Sequence, residues 1–164
     1  MKRTALFSFT LFLFAIVYTS CQEDIYMDWK LQNERFYTTL KDSLNNDTLF
    51  HKTSSGLYYK VLHQGYQRIP NATSEVILNY KLSLVDGSTV EKVTRGDFFL
   101  PYVVRSMSTH PVKGLTEGIT KMNGGGSYIF YVPSSLAFDT ISDNKAIPPH
   151  TMLIYEVDLV DSRN

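Results

Sequence analysis

From Val76 to Leu84 the side chains at Val76, Leu78, Tyr80, Leu82 and Leu84 are apolar, while Asn79, Lys81 and Ser83 between them are polar. Nine residues of alternation describe a β-strand with one buried face, because successive side chains on a strand point to opposite sides. Helical apolar positions recur every three or four residues and cannot give this pattern. Asp86-Gly87 follows at once with hairpin-turn chemistry, and residues 89–93 can return as a second strand. A hairpin with one apolar face needs a second layer to cover it.

The same periodicity divides the rest of the chain. Leu57, Tyr59 and Val61 alternate, as do Leu153, Tyr155, Val157 and Leu159, and residues 127–132 read as a strand ending at Pro133. Pro70-Asn71-Ala72 reads as a turn, and residues 134–149 as a loop. Val112, Leu115, Ile119 and Met122 fall at helical spacing over a short segment that Asn123-Gly124-Gly125-Gly126 breaks. Residues 95–109 read as irregular, with Phe98, Phe99 and Tyr102 grouped there. Many strands and one short helix imply an α+β domain on an antiparallel sheet. Ahead of it, Trp29, Phe36 and Leu40 fit one face of a helix over residues 26–41, interrupted by Asn33, and residues 42–55 are polar enough for a linker. Trp29 is expected to pack this helix onto the domain or onto its own neighbours.

The N-terminus reads as an address. Lys2 and Arg3 precede an apolar run of 14 residues, from Ala5 to Tyr18, and then Thr19, Ser20 and Cys21. A basic start and a short apolar stretch are the parts of a secretory signal; spanning a bilayer takes about 20 residues. Tyr18-Thr19-Ser20-Cys21 resembles a bacterial lipobox, although Tyr18 stands where an aliphatic residue is usual. On this reading residues 1–20 are a lipoprotein signal peptide, Cys21 is lipidated and anchors the chain to a membrane, and residues 21–54 are a tether with a short helix. Gln22 beside the cysteine resembles outer-membrane sorting, so the expected place is the bacterial cell envelope, as an outer-membrane lipoprotein facing the periplasm or the cell surface. The alternative is an ordinary signal peptide cut nearby, with Cys21 a free thiol. As the one cysteine, Cys21 can form no disulfide within the chain.

Three segments together resemble the FKBP family: residues 76–91 (VILNYKLSLVDGSTVE), residues 112–122 (VKGLTEGITKM) and residues 131–160 (YVPSSLAFDTISDNKAIPPHTMLIYEVDLV). Their order and spacing agree with the family too, and the likeness covers most of residues 55–164, read as the domain. It implies a five- or six-stranded antiparallel sheet curled around the one short helix, and peptidyl-prolyl cis-trans isomerase activity on proline-containing polypeptide segments. The resemblance makes Tyr80 the pocket tyrosine and puts Tyr155 at a wall. It gives Val112 the backbone N–H that binds a substrate carbonyl, and it places Ile147 on the rim. Phe99 or Tyr102, with Phe98, would add a further aromatic wall. Several positions depart from the family pattern. Leu115 replaces a Trp at the pocket floor, Val90 a Phe at a wall and Glu91 an Asp. Phe138 replaces a Tyr whose hydroxyl bonds the ligand, and Asp139 replaces a Gly. Core packing alone would also explain Tyr80, Val112 and Tyr155, since all three lie on apolar stripes.

Other chemistries find little footing. With 16 basic and 16 acidic residues the chain has no strong field to draw nucleic acid. His51, His63, His110 and His150 lack metal-ligand spacing, so neither metal nor cofactor is expected. No helix follows the glycine run, which therefore suits a connection better than a phosphate cradle. A monomer is expected. Three functions remain open: an isomerase with reduced turnover, a proline-binding or chaperone module without catalysis, and a structural subunit docking through the Trp29 helix.

Overall fold

A computed structural model of the chain describes residues 26–94, 102–104, 111–140 and 146–163. Helix α1 spans residues 26–46. It is followed by β1 (Phe50–Lys52), β2 (Tyr58–His63), β3 (Glu75–Ser83), β4 (Thr89–Val93), β5 (Tyr102–Val104), α2 (Lys113–Ile119), β6 (Ser127–Val132) and β7 (Leu153–Arg163). The strands form one antiparallel sheet in the order β1-β2-β6-β7-β3-β4, with β5 on the same edge of β3 as β4. This is the expected α+β architecture with an N-terminal helix.

Two stretches differ from expectation. Residues 42–55 are not a plain linker: α1 runs through to residue 46, and β1 pairs with β2 through Phe50↔Lys60, His51↔Tyr59 and Lys52↔Tyr58. Phe50, the apolar side chain of that short strand, is buried. In the stretch read as irregular, residues 102–104 form β5, opposite Val76, Ile77 and Leu78. A three-residue strand is too short to show a period.

The hairpin is made as its residues require. Gly87 takes φ 86°, which glycine adopts without a Cβ clash. Ser88 donates backbone and side-chain hydrogen bonds to Asp86 Oδ1. Together they hold the Asp86 carboxyl below its ordinary value. Beyond the turn, Val76, Leu78, Tyr80 and Leu82 share a buried face with Leu153, Tyr155, Val157 and Leu159 of β7 and Tyr128, Phe130 and Val132 of β6. Each such side chain contributes about 1.5–3 kcal/mol by leaving water.

Helix α2 covers this face with the expected stripe: Val112, Leu115, Ile119 and Met122 are all buried. Its approach to β6 depends on two glycines one turn apart. A Cβ on Gly114 would lie 2.4 Å from Val132 Cγ1, and one on Gly118 2.7 Å from the Phe130 ring. Larger residues there would lift the helix off the sheet.

Helix α1 supplies a second, smaller core. Leu40, Phe50, Tyr58 and Met152 are buried together, with Phe36, Tyr37 and Tyr131 packed around them. Tyr58 meets Tyr37 edge-on at 5.2 Å, while its neighbour Tyr59 packs against the main core. Strand β2 therefore has apolar cover on both faces.

Candidate functional site

The residues the resemblance assigns to a pocket converge around α2. Tyr80 on β3 and Tyr155 on β7 lie on one face, ring centroids 5.9 Å apart and inclined at 54°. The cross-strand register sets this: Tyr80 faces Val157 and Tyr155 faces Leu82, so the two rings are diagonal neighbours. Val112 precedes the first turn of α2 in an extended conformation, its carbonyl accepting from the backbone N–H of Leu115 and Thr116. Leu115 is buried in the same core cluster. Ile147 is buried in the same cluster as Tyr80, Val112, Leu115 and Tyr155.

The walls are less enclosed. Phe138, just after the short 3-10 turn Ser134–Leu136, is half-buried against that cluster. Val90 packs there as well; a register shift between Leu82 and Ser83 leaves it without a partner across β3. Such bulges turn a side chain away from the regular pleat. Glu91 is exposed on β4. Phe98 and Phe99 lie outside the described residues, and for Tyr102 only its backbone place in β5 is described.

The two arms of the single connection between β6 and β7 contribute Phe138 and Ile147 to the cluster, and each arm carries a non-glycine residue in the left-handed region: Asp139 at φ 54° and His150 at φ 60°. They are tied together. Asp139 N–H donates to Ser134 O at 2.8 Å, and His150 N–H donates to Asp139 O at 2.7 Å. The arm bearing Phe138 and the arm bearing Ile147 are therefore joined near the wall and rim positions. Neither strained residue could be read from the sequence as such, although Asp139 in place of glycine was a signal.

The described residues contain no group of three or more His, Cys, Asp or Glu side chains placed to hold a metal. The apolar cluster offers no paired carboxylates and no nucleophile beside a base. The cluster's side chains are apolar, Tyr80 and Tyr155 among them aromatic, and none carries a charge. Cys21 and the signal-like segment lie outside the described residues, and among those described no helix is long and apolar enough to cross a membrane.

Comparison with known proteins gives the family and the fold. Residues 66–160 match the family model for FKBP-type peptidyl-prolyl cis-trans isomerase. The FKBP-type peptidyl-prolyl cis-trans isomerase FkpA of Escherichia coli is 35% identical over 112 residues, 67% of this chain and 39% of that protein. The peptidyl-prolyl cis-trans isomerase Mip of Coxiella burnetii is 29% identical over 129 residues, 79% of this chain and 53% of that protein. The chain thus spans about half, or less, of the length of these curated relatives. The crystal structure of Escherichia coli FkpA superposes with a TM-score of 0.74 at 26% identity, covering 95% of this chain and 71% of that one.

Proposed function

Since the chain belongs to the FKBP-type peptidyl-prolyl cis-trans isomerase family, we propose that it catalyses cis–trans exchange of X-Pro bonds in proteins of the bacterial envelope. The observation that carries this is the gathering of Tyr80, Val112, Leu115, Ile147 and Tyr155 into one buried apolar cluster within the matched segment. Rotation about a prolyl amide crosses a barrier of about 18–20 kcal/mol. The planar ground state is charge-separated by resonance, and the twisted amide is less polar. A water-poor, aromatic-walled site disfavours the planar form more than the twisted one, which lowers the barrier without acid, base or metal. On this reading Tyr80 and Tyr155 flank the proline ring, Phe138 and Val90 form the walls, Ile147 is the rim, and the Val112 N–H orients the carbonyl next to the bond. Glu91, Phe99 and Tyr102 would meet the flanking peptide.

The expected address belongs to the same proposal: cleavage before Cys21, lipidation there, and an envelope location from which residues 22–25 lead into α1. The chain would act as a monomer on extended, proline-containing segments.

A second reading has a specific basis. Leu115 gives the floor no aromatic surface, and Phe138 has no hydroxyl with which to bond a ligand, a hydrogen bond with a net worth of about 0.5–1.5 kcal/mol. These two side chains favour a module that holds proline-containing segments without turning them over. Refolding of a substrate protein limited by proline isomerisation separates the readings. The isomerase reading expects the slow phase to accelerate in proportion to added protein. An unchanged slow phase at high micromolar protein, with the substrate still retained, would leave only the binding module.

A further inference from the structure

We infer that Trp29 and Asn33 of helix α1 are positioning residues for the rim of the prolyl site, which makes the N-terminal helix a working part of that site. The inference rests on the isomerase reading above. Thr151 is the hinge of the arrangement. Its hydroxyl accepts a hydrogen bond from Trp29 Nε1 at 2.8 Å and donates one to Pro148 O at 2.5 Å. One turn along α1, Asn33 is buried and spends both ends of its amide. Its Oδ1 accepts the backbone N–H of Met152 at 2.7 Å, and its Nδ2 donates to Trp29 O at 2.8 Å. Helix α1 thereby grips residues 148–152 at two points. Ile147, buried in the pocket cluster, is the residue immediately before the gripped Pro148.

Three features make this more than helix docking. Thr151 and Asn33 are polar side chains only 3% and 4% exposed, where a lost partner leaves a buried group unsatisfied. The same loop contains His150 at φ 60°, a conformation that persists only where its surroundings hold it. His150 is also bonded to Asp139, next to the wall residue Phe138. The chain Trp29–Thr151–Pro148 therefore fixes one arm of the connection, and the His150–Asp139 bond passes that constraint to the other. Apolar packing of Phe36 and Leu40 would dock α1 equally well without any bond to this loop. Trp29 and Asn33 reach it through hydrogen bonds, and Trp29 also packs against the main core.

The test uses the full chain and its Thr151→Val, Thr151→Ser and Trp29→Phe variants, each confirmed folded by circular dichroism. Exchange kinetics on an X-Pro peptide and affinity for the same peptide are measured side by side. Thr151→Val keeps shape and loses the hydroxyl, so KM and Kd should rise about two- to tenfold, the equivalent of one hydrogen bond, with kcat changed less. Trp29→Phe keeps an aromatic ring and should shift KM in the same direction. Thr151→Ser retains the hydroxyl and should return both constants to wild-type values. Unchanged KM and Kd in Thr151→Val and Trp29→Phe, even with a lowered Tm, would overturn the positioning role and leave the isomerase reading intact. A wild-type protein that neither exchanges nor binds the peptide would overturn both.

Discussion

Asp139 sits at φ 54° with its backbone N–H on Ser134 O and its carbonyl on His150 N–H. The FKBP resemblance puts glycine at this position, and the left-handed backbone gives the reason. The loop keeps its shape while the residue changes, and Asp is among the few non-glycine residues that tolerate that shape. Asp139→Gly should therefore leave stability unchanged or raise it by up to about 1 kcal/mol, whereas Asp139→Val should lower it by about 1–3 kcal/mol. Denaturant midpoints of the two variants check this. A clear loss in the glycine variant would mean that the carboxylate itself bonds something. Leu115 and Phe138 are residue-scale changes of another kind. They would alter the chemistry of the proposed floor and wall without disturbing the elements that carry them, since Leu115 is on the buried stripe of α2 and Phe138 packs against the core.

At the scale of elements, helix α1 is part of the domain. Leu40 is buried with Phe50, Tyr58 and Met152, so Leu40→Ala should cost about 2–4 kcal/mol of global stability. Chemical denaturation should show it as a shift of a single transition; an unmoved midpoint would mean that α1 is only a tether. The end of α1 is also held electrostatically. Lys60 on β2 reaches Asp47 Oδ2 at 2.7 Å, and that bond, with the Leu49 N–H, holds the Asp47 carboxyl below its ordinary value. A carboxyl depressed in the folded state adds stability above its unfolded value, and this is lost as pH falls through the folded one. Lys60→Ala should therefore flatten the acid side of the stability–pH curve and, because the same bond raises the Lys60 ammonium above its ordinary value, the alkaline side too, leaving the slope near neutrality alone, as acid and base titrations of the two proteins would show. Both side chains are about a third exposed, so the effect is small.

Element by element, legibility in the sequence followed burial. Strands β3 and β7 and helix α2 each bury one face, and one-faced burial is what periodicity detects. Strand β2 buries Tyr58 beneath α1 and packs Tyr59 on the main core, so its pattern showed only half of its environment. Strands β1 and β5 are three residues each, too short to have a period. Of the candidate site, the gathering of Tyr80, Val112, Leu115, Ile147 and Tyr155 in one cluster could be expected because they lie in motifs. The contribution of α1 could not, because it consists of contacts more than a hundred residues apart, from Trp29 to Thr151 and from Asn33 to Met152. Trp29, expected as a packing residue of the helix, and Asn33, interrupting its apolar stripe, were the visible signs.

On the scale of the whole molecule, the sheet brings distant segments to one place. Strand β7 lies between β6 and β3, so Tyr155 meets Tyr80 across the sheet while the loop before β7 carries Ile147 to the same cluster. Helix α2 closes the apolar face from above, and α1 closes the other side of β2 and holds the rim. The function we propose for this assembly is rotation of a prolyl amide in a dry site, with turnover limited by the expected changes at its floor and walls. Exchange NMR on a short peptide with one X-Pro bond, whose uncatalysed exchange takes about 10–100 s, tests that most directly. The account predicts faster exchange at substoichiometric protein, and faster still with Leu115→Trp, which restores an aromatic floor. Exchange at the uncatalysed rate with both proteins, even at equimolar concentration, would contradict it.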